Sequence, residues 1–267
     1  MPKRKSLSNE EFLRRVRDYL PMDAAIWNMD YRGRPSSCAI AGGMEENTFY
    51  LFDAEAVLSA SHAIEELALD EASGSLLAAF QDLKNFDPHH DRYWQLAATL
   101  DDVRVVGQGR KRASHDHLKF ILTTHEALAP FWAVLYQGRG TEAMLVCRQV
   151  RAASAFERKR FVGFYTFNTD LIARVRRDME DILAGRGCGM REFDRLFALD
   201  QAAKQVNLRF AREQQAVEAG IRRLQTDDRR YQPRHFAADL ERSLARLSEL
   251  RTKLPAVIGT AGENTSA

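Results

Sequence analysis

The chain has 267 residues, 45% of them hydrophobic and 28% charged, a balance that excludes a disordered, collagen-like or membrane-embedded body. Its 39 basic and 37 acidic residues leave a net charge of +2, too little to draw in nucleic acid or an anionic membrane, so neither is an expected partner. Cys38, Cys147 and Cys188 are scattered without ligand or CxxC spacing, and no apolar run resembles a signal-peptide core or a membrane span; the expected location is the cytoplasm.

In chain order, Ser8-Asn9-Glu10-Glu11 ahead of Phe12, Val16 and Leu20 predicts an N-capped amphipathic helix over 9–20. Short apolar runs at 24–27, 38–41 and 49–52, separated by Gly and Pro, predict strands. Asp53 is the expected N-cap of a helix that carries Val57, Leu58, Ile64 and Leu67 and ends near Gly74. A buried strand at 76–80 follows, and Asp87-Pro88 opens a helix with proline at its first position. Further strands are expected at 103–106, 120–122, 131–136, 143–147 and 161–167, with a hairpin at 137–140. Asn168 or Thr169 then caps a helix through Leu183. The fold class is α/β: a mixed sheet with flanking helices, followed by a C-terminal α-helical hairpin.

Gly185-Arg-Gly-Cys-Gly189 is the clearest boundary, because three glycines in five residues stop any regular element. Beyond it, residues 190–226 read as one helix whose apolar stripe includes Leu196, Phe210, Val217 and Leu224. Pro233 opens a second, striped by Leu240, Leu247 and Leu254 and ended by Pro255. The expected organisation is an N-terminal helix at 1–24, an α/β domain at 25–187, a hairpin at 190–255 and a disordered tail at 256–267.

Few motifs carry chemistry. His115-Asp116-His117, His89-His90-Asp91 and His125 lack the fixed spacing of a closed metal site, so no metal is assigned. Gly107-Gln-Gly109 lacks the third glycine and the following helix of a dinucleotide fingerprint. Adjacent carboxylates at Glu65-Glu66 and Asp101-Asp102 diverge; the first pair reads as a solvated helix face and the second as a turn. Residues 148–177 hold eight basic side chains against Glu157 and Asp170, an ordinary charged surface on this reading. No catalytic residue is assigned, and no cofactor can be named.

The order Leu58-Ser-Ala-Ser-His62-Ala-Ile-Glu65, Phe80-Gln-Asp-Leu-Lys-Asn-Phe86 and Arg92-Tyr93-Trp94-Gln95-Leu96-Ala97 is followed by Asp102-Val-Arg-Val-Val-Gly107 and Phe131-Trp-Ala-Val-Leu135. With Ala143–Arg148 and Phe161–Leu171 it resembles the DICT sensory domain of diguanylate cyclases and two-component systems. That resemblance covers about half the chain and implies a non-enzymatic signal-sensing module, with no kinase glycine box or GG[DE]EF-type cyclase motif beyond it. The expected ligand-binding residues are His62, Glu65, Arg92, Tyr93 and Trp94, on two helices that flank the first two core strands. The helical hairpin is the expected site of homodimerisation or of docking to a signalling partner. Two alternatives stand beside this reading: a small-molecule enzyme built on His62, Glu65 and Arg92, and a ligand-free scaffold acting through the hairpin.

Overall fold

The computed structural model describes residues 7–20, 26–29, 35–38, 46–110, 112–153, 155–226 and 232–263. Helix α1 (Asn9–Tyr19) is capped by the Ser8 hydroxyl, which accepts from Glu11 N. Strands β1 (Ile26–Met29), β2 (Pro35–Cys38) and β3 (Tyr50–Asp53) follow; parts of the predicted runs 24–27 and 38–41 lie outside the described residues. Asp53 caps α2 (Ala54–Glu71) through a 2.8 Å bond from Ala56 N, and Ala72, in the left-handed region, ends it.

Strand β4 (Ser75–Asp82) leads into a 3₁₀ turn over Leu83–His89, and the α-helix α3 starts only at His90, running to Thr99. The expected helix start at Asp87-Pro88 is therefore corrected. The reason lies in packing: three residues per turn put Leu83 and Phe86 on one side, and both are buried. Strands β5 (Asp102–Gln108), β6 (Leu118–Leu122), β7 (Phe131–Gln137), β8 (Glu142–Arg151) and β9 (Arg160–Thr166) complete the sheet, and Asn168 caps α4 (Thr169–Leu183).

Among the described residues, nine strands form one mixed sheet in the order β2-β1-β3-β9-β8-β7-β4-β5-β6. Only β4–β5 and β5–β6 are parallel. The expected hairpin at 137–140 joins β7 to β8, closed by Gly138 N on Thr141 O at 2.9 Å. One face, with Phe52, Ala78, Phe80, Val105, Val134 and Tyr165, forms a single buried cluster with α1, α2 and α3. The alternate residues, among them Leu77, Ala133, Val146 and Phe164, are buried on the other face, where α4 lies against β8. Gly163 is needed on β9, because a Cβ there would overlap the Val146 carbonyl and the Cys147 thiol.

The second parallel connection is short. Residues 109–117 must return the length of β5 to start β6 beside it, and the described residues of that stretch hold no crossover helix. A nine-residue connection can span at most roughly 30 Å, enough for the return but leaving little slack.

Contacts divide the chain into two compact units, the first holding the described residues up to Glu192 and the second those from Phe193 onward. Helices α5 (Arg191–Gln225) and α6 (Pro233–Glu263) form the C-terminal hairpin, with Arg246 3.3 Å from Glu213 across them. Among the described residues of the hairpin, Phe193, Gly220, Ser243 and Leu250 are buried. Two sequence expectations change here. Phe210, in heptad phase with Val217 and Leu224, is 52% exposed instead of lying in the seam. Helix α6 also continues through Pro255, which removes one backbone hydrogen bond without ending the helix.

Candidate functional site

Helix α2 lies on the sheet with most of its length buried, and α3 packs along its flank. That places Glu65, in the middle of α2, at the helix–helix junction, where it is 2% exposed. The solvated-face reading of Glu65 is corrected; its neighbour Glu66 instead faces Arg15 of α1. A buried carboxylate needs partners, and α3 supplies two from consecutive positions. Arg92 Nε donates to Glu65 Oε2 at 2.5 Å, and the Tyr93 hydroxyl donates to Oε1 at 2.9 Å. Arg92 Nη2 also reaches the backbone carbonyl of His62 at 2.8 Å.

Helix α1 closes the cluster. The Arg92 guanidinium lies 5.4 Å from the Tyr19 ring centre, and the Ser59 hydroxyl holds the Tyr19 carbonyl at 3.1 Å. The His62 ring contacts Tyr19 and His89, and His89 stacks on Phe80 of β4. Four of the five expected residues thus meet at one three-helix junction, with His62 joining through its backbone carbonyl and its ring.

The electrostatics follow from burial. Desolvation pushes the Glu65 carboxyl up, to about 7, against the opposing pull of Arg92 and Tyr93. Burial, then the Arg92 charge, then His89, holds His62 down at about 4, and burial and Arg92 also lower His89. Arg92 loses solvation too, but Glu65 and Tyr19 outweigh that loss and its pKa is raised. Tyr93 is pushed well above its usual value by burial and then by Glu65.

Trp94 goes elsewhere. One residue further along α3 than Tyr93, it turns about 100° away from the sheet. Its indole N–H donates to His90 Nε2 at 2.6 Å, and its ring lies 4.6 Å from that of His115. Here α3 and the return loop enclose a cleft of about 460 Å³, with Trp94, Ala97 and Ala98 on the helix side and Ser114, His115, Asp116, His117 and Leu118 on the loop side. None of the other four expected residues lines it. Sequence reading missed this loop, although the signals were present: a tryptophan followed by small residues at i+3 and i+4, and two histidines between closely spaced strands.

The remaining motifs are structural. Asp102 accepts from Lys119 and Arg104, and Asp101 accepts from Gly74 N. In the basic segment, Arg174 pairs with Glu192 and Arg176 with Glu180. Among the described residues, no three His, Cys, Asp or Glu side chains are grouped to hold a metal ion, and no helix is long and apolar enough to cross a membrane.

None of the curated proteins matches this chain. Among solved structures, the crystal structure of polyphosphate kinase from Porphyromonas gingivalis is similar at 13% identity, covering 55% of this chain and 24% of that one, with a TM-score of 0.37. Residues 42–150 match the family model described as the sensory domain in diguanylate cyclases and two-component systems. That segment holds β3 to the end of the β8 core, with Glu65, Arg92, Tyr93 and the Trp94 cleft inside it, and the match supports a DICT sensory domain over those residues.

Proposed function

We propose that this chain is a non-enzymatic signal-sensing protein of the cytoplasm, whose α/β unit responds to a small ligand and relays its state through residues 185–189 to the helical hairpin. The observation that carries the relay is the start of α5. Asp178 of α4, 5% exposed, accepts from Glu192 N at 2.7 Å and from Arg191 Nε at 3.0 Å. The first turn of α5 is thereby held to the helix that covers one sheet face. A displacement of α4 would be carried into a helix of 35 residues, roughly 50 Å long.

A non-enzymatic role is supported by the state of Glu65. Both its oxygens are engaged and it is buried, whereas a general acid or base needs a reacting atom within hydrogen-bond reach. The hairpin presents Phe210, Ile221 and Leu244 to solvent, and there we place a second copy of the chain. The exposed thiol of Cys188 accords with a reducing compartment.

A ligand shifts a sensor only by binding one state better than another. The test is native mass spectrometry of the full chain isolated from its own host, followed by amide exchange before and after the bound molecule is removed. The expected result is a non-covalent adduct whose removal changes protection along residues 191–225. A bare chain, or removal without effect on α5, overturns the reading.

A further inference from the structure

We infer that the cleft between α3 and the return loop binds a planar heteroaromatic ring of nucleobase size, neutral or cationic, laid against the Trp94 indole; the inference rests on the sensor reading above and names the ligand class. The loop is held at three points. Arg112 bonds Asp87 at 2.5 Å and the Leu83 carbonyl at 3.1 Å, the Ser114 hydroxyl accepts from Phe120 N at 3.0 Å, and His117 Nδ1 lies 3.0 Å from the Asp101 carbonyl. Those anchors fix where the loop runs. Opposite it, beyond Trp94, α3 offers the methyl groups of Ala97 and Ala98, so the space stays open. Its volume falls within the range of small-molecule clefts.

The lining selects the chemistry. Trp94 can offer only its ring, because His90 already holds its N–H. His115 already lies 4.6 Å from the indole, so a flat partner lies against the part of the ring that faces the cleft and not between Trp94 and His115. Leu118, fully buried, makes the floor apolar beside Ala97. The rim is polar: a carbonyl can only accept, so His117 donates through Nδ1 and presents Nε2 to a ligand. Ser114 keeps its hydroxyl proton for donation, since its oxygen accepts from Phe120 N. The exposed Asp116 carboxylate accepts hydrogen bonds and repels a phosphate or carboxylate. A ring with a mixed donor and acceptor edge fits this set; an anion does not.

The position also suits signalling. Trp94 follows Arg92 and Tyr93 on α3, so a ring laid against Trp94 acts on the helix that holds Glu65.

The test is calorimetric titration of the full chain with adenosine, AMP and indole. Adenosine should saturate one site, AMP should bind more weakly, and indole, without the polar edge, more weakly also. Ala98→Trp, made at an exposed helix position, fills the cleft and should weaken adenosine binding at least about tenfold while leaving the urea unfolding midpoint in place. Trp94→Leu should weaken binding to a similar degree, with some loss of stability because the ring also packs against the core. No saturable adenosine binding at millimolar concentration, AMP binding as tight as adenosine, indole binding as tight, or binding that survives Ala98→Trp each overturns the proposal. The sensor reading is judged separately: a molecule that stays with the Ala98→Trp chain from its own host removes the cleft and keeps the sensor.

Discussion

Arg92 Nε sits 2.5 Å from Glu65 Oε2 across the α2–α3 junction, with the carboxylate almost wholly out of water. Such a pair is held more by the harm of breaking it than by net attraction. Arg92→Ala should cost about 3–5 kcal/mol by leaving a buried, uncompensated carboxyl group. Replacing the whole cluster by apolar residues, Arg92→Met and Glu65→Leu with Tyr93→Phe so that no buried hydroxyl loses its acceptor, should recover most of that loss. Urea unfolding of the single and triple variants measures both; equal losses for the two would mean that the junction depends on the ion pair itself.

The junction titrates in two opposing directions. Glu65, raised to about 7 when folded, favours the folded state increasingly as pH falls from about 7 toward its unfolded value of about 4.5. His62, lowered to about 4, and His89, also lowered, do the reverse: their contribution is complete above about 6.5 and declines as pH falls. Glu65→Gln removes the first influence alone. Relative to this variant, the natural chain should gain stability on acidification from pH 7 to 4.5, with a slope of up to about 1.4 kcal/mol per pH unit. Parallel stability curves for the two proteins would contradict the raised carboxyl.

Phe164 is fully buried on the α4 side of the sheet, and its ring packs 4.9 Å from that of Phe49. Phe164→Ala should destabilise by about 3–5 kcal/mol. A loss below about 1 kcal/mol in chemical denaturation would mean that the neighbouring chain collapses into the space.

The exposed hairpin residues give a prediction about assembly. Sedimentation of the full chain should show a dimer at micromolar concentration, and Phe210→Ser with Leu244→Ser should convert it to a monomer of unchanged helicity. Both residues are more than half exposed, so the substitutions leave the fold intact. A natural chain that stays monomeric at high micromolar concentration removes self-association from the function.

Ser8, Asp53 and Asn168 were legible as caps because the bond that makes a cap lies within three residues of sequence. The buried strands at Leu77, Val105, Val134 and Phe164 were legible from apolar runs alone. Pairing was not, since β3 finds β9 more than a hundred residues away and no local pattern encodes that partner. The candidate site divided for a similar reason. The packing of α3 on α2 brings Arg92 and Tyr93 to Glu65, but the place of Trp94 depends on a loop whose path is set by the parallel register of β5 and β6. Leu83 and Phe86 shifted the start of α3 because tertiary burial outweighed the proline signal at 88.

The position of β3 bears on how this protein can be dissected. The family match stops at residue 150, yet β3 pairs only with β1 and β9, and both fall outside that limit. A fragment trimmed to 42–150 would keep β3 as an orphan ribbon and strip β9 from the long apolar edge of β8. Two open edges on one small fragment invite pairing between molecules, so the trimmed piece should come out of cells as aggregate. The smallest piece that keeps every strand of this sheet beside its neighbours runs from β1 to β9, and the bonds from Arg191 and Glu192 to the buried Asp178 put the place to cut after Glu192.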